Sequence, residues 1–110
     1  MLVYHRLRKA SVDAFIIAEL GGEAAAETTL AGVHGLMTLQ PHGQEGALLT
    51  NGLANIFYVR DRKGVLRAVY VAWHGGGWSV SALSVEYPGR WDDGSQIFSR
   101  ILVFSNPRML

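Results

Sequence analysis

The sequence predicts an α+β domain in which N-terminal helices pack on a four-stranded antiparallel meander. Three observations carry that expectation. The chain has 110 residues, 49% of them hydrophobic and 17% charged, and a chain of that length buries roughly two-thirds of its extended surface in one core. Its character changes near residue 40, from alanine- and leucine-rich to aromatic, β-branched and glycine-punctuated. No Pro/Gly/Ser-rich spacer separates the two parts, so residues 1–110 read as two layers of a single domain.

In chain order, Leu2-Val3-Tyr4 is a candidate fifth strand at a sheet edge. Ser11 is placed to cap a helix, with Val12, Phe15, Ile16 and Leu20 at helical spacing. Gly21-Gly22 ends it, because glycine accepts the left-handed C-terminal position. A second helical segment opens at Glu23-Ala24-Ala25-Ala26, and Ala26, Leu30, Val33 and Met37 continue one face. Residues 33–40 fit a helix or a strand equally, since Gly32 and Gly35 weaken the helix by about 1 kcal/mol each. Pro41, Gly43 and Gly46 then form a loop.

Four strands follow. Residues 53–60 are the first, and Asp61-Arg62-Lys63-Gly64 turns it into a second over 65–74. Gly75-Gly76-Gly77 leads to a third over 78–85. After the connection Tyr87–Gly94, a fourth runs from Ser95 to Phe104. Period-two alternation sets the middle hairpin's register: Trp73 opposite Trp78, Val71 opposite Val80, Val69 opposite Ala82, all on one face. The reverse face pairs Ala72 with Ser79, Tyr70 with Ser81 and Ala68 with Leu83.

Composition excludes several function classes. Ten basic and nine acidic side chains leave a net charge of +1, too balanced for a general nucleic-acid binder. The cluster His5, Arg6, Arg8, Lys9 is short and carries no nucleic-acid motif. With no cysteine, thiol catalysis, thiolate metal sites and disulfides are excluded, and a reducing cytoplasmic setting is expected. The N-terminus shows no secretory pattern and no stretch reads as a membrane span. His5, His34, His42 and His74 have none of the phased spacing of a metal site, so no metal and no cofactor are expected. No Gly-x-Ser-x-Gly elbow and no phosphate-binding glycine loop is present.

Two constellations remain. Trp73 and Trp78 across the glycine turn, with Tyr70 and His74, make a candidate aromatic ligand platform; the same tryptophans also serve simply as a pair that stiffens the hairpin. Arg90, Trp91 and Asp92 form the densest polar cluster, although Asp92-Asp93-Gly94 is equally ordinary turn chemistry. No residue qualifies as catalytic.

The segments Asn55-Ile-Phe-Tyr-Val-Arg-Asp61, Trp73…Trp78 and Trp91-Asp-Asp-Gly-Ser-Gln-Ile-Phe-Ser-Arg100 resemble short uncharacterised bacterial proteins, including those of integron gene cassettes, over about residues 50–100. The resemblance implies a small, soluble, adaptive protein and assigns no catalytic residue. Together these points predict a non-enzymatic, self-associating binding or interaction domain, a homodimer with room for a protein or small-molecule partner. The dimer is expected because helices on one face leave Ala68, Tyr70, Leu83 and Val85 on the other, with Ile97, Phe98, Ile101, Leu102, Val103 and Phe104 apolar on both sides. The alternative is a catalytic or ligand-binding α+β cone whose pocket holds Trp73, Trp78, Tyr70 and His74.

Overall fold

Runs such as Ile56-Phe57-Tyr58-Val59 and Ile97-Phe98 place apolar groups on both sides of a strand, and such strands need cover on both faces. The computed structural model, which describes residues 2–86 and 89–100, supplies it. Its elements are β1 (Val3–Arg6), α1 (Asp13–Glu19), α2 (Glu23–Ala26), β2 (Glu27–Thr28), α3 (Leu30–Thr38), β3 (Asn55–Arg60), β4 (Leu66–His74), β5 (Gly77–Ser84) and β6 (Gln96–Ser99). They form one mixed sheet in the order β1-β6-β3-β4-β5, with β2 paired to β3. The α+β class is as predicted.

The β4–β5 hairpin has the register read from the sequence, Trp73 facing Trp78 and Val71 facing Val80. Gly75 and Gly76 take φ values of 56° and 87°, so a tight two-residue turn joins the strands and Gly77 already belongs to β5. The edge strand near Leu2–Tyr4 is present as β1, antiparallel to β6.

The four-strand meander is corrected. Of the four strands expected in the meander, β3, β4 and β5 run as neighbouring antiparallel strands; β6 crosses to the far side of β3 and pairs with it in parallel, Asn55 with Gln96 and Phe57 with Phe98. The physical cause is burial. All four β6 residues are buried, a demand that a place beside the exposed β5 cannot meet and a place between β1 and β3 does. Beyond Phe57 the same side of β3 is taken by β2, through Glu27–Tyr58 and Thr28–Val59. That short strand interrupts the continuous helical face expected from Ala26 to Met37. Ile101 to Phe104, expected in the fourth strand, lie outside the described residues.

Helices on one face are corrected as well. Ile16 and Ile17 of α1, with Leu20 at its C-cap, pack with Ile56, Tyr58, Ala68 and Ile97, whereas Val33 of α3 packs with Phe57, Val59, Val69, Val71 and Phe98 on the opposite face. Residues 33–38 are helical, and Thr29 caps α3 by accepting the Gly32 N–H at 3.1 Å. The α1 cap is Val12, with no side-chain bond; Ser11 instead bridges Trp91 through its backbone.

Loop 39–54 is pinned by amides that sequence patterning does not mark. Gln40 accepts the Leu48 N–H (2.8 Å) and donates to the carbonyls of Gln44 and Leu48. Asn55 accepts from Leu49 N–H (2.8 Å) and donates to the carbonyls of Leu49 and Val71. Its register partner Gln96 donates to Ala47 O at 2.7 Å. Gln40, Asn55 and Gln96 are all buried, and each is satisfied as a buried amide must be.

Candidate functional site

The aromatic platform is divided by the sheet. Trp73 and Trp78 share a face with ring centroids 5.0 Å apart and planes at 74°. Tyr70 lies on the opposite face, edge-on to Trp91 at 5.1 Å. The Trp78 indole N–H donates to Gln40 O at 2.7 Å, and Gly43 lies so close to the Trp73 ring that any Cβ there would overlap it. The tryptophan pair is thus a support for loop 39–54. His74 is exposed at the hairpin turn, and these four residues do not converge on one pocket.

The second cluster gathers around a residue that the sequence reading passed over. Trp91 donates its indole N–H to Asp13 Oδ1 at 2.7 Å, and the Tyr58 hydroxyl donates to the same oxygen at 2.7 Å. Asp13 is 2% exposed. Burial raises its pKa, opposed by the hydrogen bonds from Trp91 and Tyr58. The Tyr58 hydroxyl is pushed up by burial and by the neighbouring carboxylate, so it stays a donor. The one available signal was a carboxylate inside the apolar run Val12–Ile17, which reads as an ordinary first-turn acid.

Asp13, Leu83, Gly89, Arg90 and Trp91 line a cavity of about 40 Å³, room for about two or three waters and too small to enclose an organic substrate. Asp13 ties the β5–β6 connection to α1 and the sheet, reinforced by backbone bonds between Ser11 and Trp91 at 2.8 and 3.1 Å. Arg90 and Asp92 are exposed. The Asp92 carbonyl accepts from Ser95 N–H at 3.2 Å, and Gly94 has φ 86°, which is turn architecture. Among the described residues no group of three or more His, Asp or Glu is placed to hold a metal ion, and no helix is long and apolar enough to cross a membrane.

The feature that remains open is the β5 edge. β5 is bonded to β4 on one side only among the described residues. Its sequence, Gly-Trp-Ser-Val-Ser-Ala-Leu-Ser, is eight residues long with no charge and no proline. Sheet edges are ordinarily blunted by brevity, charge, proline or bulges. The opposite edge, β1, is four residues long and ends in His5-Arg6. Beside β5, on the α3 face, lies an open apolar groove of about 280 Å³ whose lining includes Leu30, Val59, Val69, Val80 and Ala82. Leu30 is 59% and Val80 50% exposed. At the groove's end Arg67 Nε pairs with Asp61 Oδ2 at 3.1 Å, which keeps those charges engaged locally.

The arrangement thus offers main-chain hydrogen bonding along one edge and apolar contact beside it. It brings no acid, base or nucleophile together in a substrate-sized cleft among the described residues. Comparison with family models, with curated proteins and with solved structures returns no match.

Proposed function

We propose that this protein is a self-associating interaction domain, one that joins copies of itself through β5 rather than transforming a substrate. The observation that carries the proposal is the unblunted edge: a long, uncharged strand with one side of its backbone unpaired among the described residues. The ground for association differs from the one the sequence suggested. Of the four residues expected to need cover, Ala68, Tyr70 and Val85 pack in one cluster with α1 and Trp91, and Leu83 lines the small cavity beside Arg90 and Trp91. The β5 edge and the groove beside it remain open among the described residues. A chain without cysteine suits a reducing compartment, where association rests on non-covalent contacts.

Sedimentation equilibrium at micromolar concentration tests the proposal. The expected species has twice the 12.0 kDa chain mass. Val80→Lys places a charge on the exposed edge and should return the mass to that of one chain without altering the circular dichroism spectrum. A parent protein that stays at one chain mass up to high micromolar concentration overturns it.

A further inference from the structure

The backbone phase along β4 and β5 specifies how two copies would meet, which deepens the self-association proposal and rests on it. Asp61 N–H donates to Val65 O at 2.9 Å, and hydrogen-bonded pairs alternate along an antiparallel ladder. Continuing that alternation, Arg67, Val69 and Val71 turn their backbone groups to β3, and Ala68, Tyr70 and Ala72 turn theirs to β5. Their partners Leu83, Ser81 and Ser79 therefore face β4. Trp78, Val80, Ala82 and Ser84 present N–H and C=O outward, and among the described residues none of these backbone groups has a partner on that side.

We infer that two copies pair β5 to β5 in antiparallel fashion about a two-fold axis at Ser81. A two-fold there sets Val80 against the partner copy's Ala82 and Trp78 against its Ser84, so every outward residue of the strand meets an outward residue. Moving the axis to Val80 or Ala82 leaves one outward residue beyond the end of the partner strand, and moving it further leaves more. Residues facing the groove stay on the groove side: Val80 lies beside the partner's Ala82, and the two apolar grooves join across the axis.

Charge selects a second copy as the occupant. β5 carries no charged side chain, so identical strands approach without like-charge repulsion. β1 is four residues long and carries Arg6, so the same two-fold pairing there would offer fewer main-chain bonds and place two like charges on one short ladder. Homo-oligomers most often close in this isologous way.

The axis position makes a test possible because the chain has no cysteine. At the two-fold, Ser81 meets its own copy as a non-hydrogen-bonded pair, with Cα atoms about 4.5 Å apart, inside the range for a disulfide. Ser79 is four residues out of register with its copy, about 14 Å along the strand. Ser81→Cys and Ser79→Cys, both exposed positions, are oxidised mildly and run on non-reducing gels beside sedimentation of the reduced proteins. The expected result is that Ser81→Cys cross-links into dimers and Ser79→Cys does not.

Cross-linking through Ser79, or through both equally, overturns the Ser81 axis while leaving self-association standing. A dimer mass with neither variant cross-linked overturns β5 pairing in this register and moves self-association to another surface. A single-chain mass overturns both.

Discussion

Asp13 is a buried carboxylate shared by two donors, Tyr58 and Trp91, and its environment states how it should respond to pH. Burial raises the carboxyl pKa above its usual 3.8, so the folded protein holds this proton more tightly than the unfolded chain. The stability contributed is fully present below the unfolded pKa and is lost as pH rises through the folded one. Asp13→Asn keeps an acceptor for Tyr58 and Trp91 and removes that titration. Its unfolding midpoint relative to the parent should therefore be most favourable at neutral pH and fall back as the solution is acidified. Asp61 titrates with the opposite sign, because backbone N–H groups, Val65 first, hold its pKa down; taking the difference between variant and parent cancels it. Asp13→Ala is expected to cost about 2–4 kcal/mol, since it leaves the Tyr58 hydroxyl and the Trp91 indole without an acceptor. Urea titrations of the three proteins across that pH range check both statements, and a parent–Asn difference independent of pH refutes the first.

Among the elements, loop 39–54 and the β4–β5 hairpin hold one another. The Trp73 ring lies against Gly43, whose φ of 66° already favours glycine. Gly43→Ala should therefore destabilise by about 2 kcal/mol or more, from strain and overpacking together. Gly64→Ala, at a turn with open space around it, should cost only about 1 kcal/mol. Trp78→Phe keeps most of the ring contact and removes the N–H bond to Gln40, an expected loss of about 1 kcal/mol. Thermal melts of the three variants rank these outcomes, and a Gly43→Ala protein as stable as the parent would contradict the packing. The hairpin itself was legible, because alternation over Val69–Trp73 and Trp78–Ala82 leaves one register that keeps the valines together. The position of β6 was not. Its apolar run requires an interior place, but which neighbours provide it depends on contacts 40 and more residues away. The face chosen by α3 was equally hidden, since Val33 and Met37 suit either side of a sheet apolar on both. Asp13 escaped notice for a related reason: its partners Tyr58 and Trp91 lie 45 and 78 positions along the chain.

For the whole molecule, the two ends of the sheet are unlike, and that asymmetry governs how it should behave in solution. A net charge of +1 gives little long-range repulsion between copies, so association is decided by local surfaces. At one end, β1 is short and Arg6 is exposed; at the other, β5 offers backbone groups beside exposed Val80 and Leu30. Added charge at the β1 edge, Val3→Lys, should therefore leave the assembled mass unchanged, whereas Ala82→Lys at β5 should weaken association at least about tenfold, or ~1.4 kcal/mol. Contacts made through β5 would be main-chain hydrogen bonds and apolar side chains, and neither is screened as ion pairs are. The dissociation constant should accordingly change by less than about threefold when sodium chloride is raised from low to high ionic strength, and apolar contact leaves room for slight tightening at the high end. An interface built on Arg60, Arg67 and the acids near them would instead weaken steeply over the same range. Sedimentation velocity at several salt concentrations separates the two, and a steep loss of dimer with salt would relocate the interface from the strand edge to those charged groups.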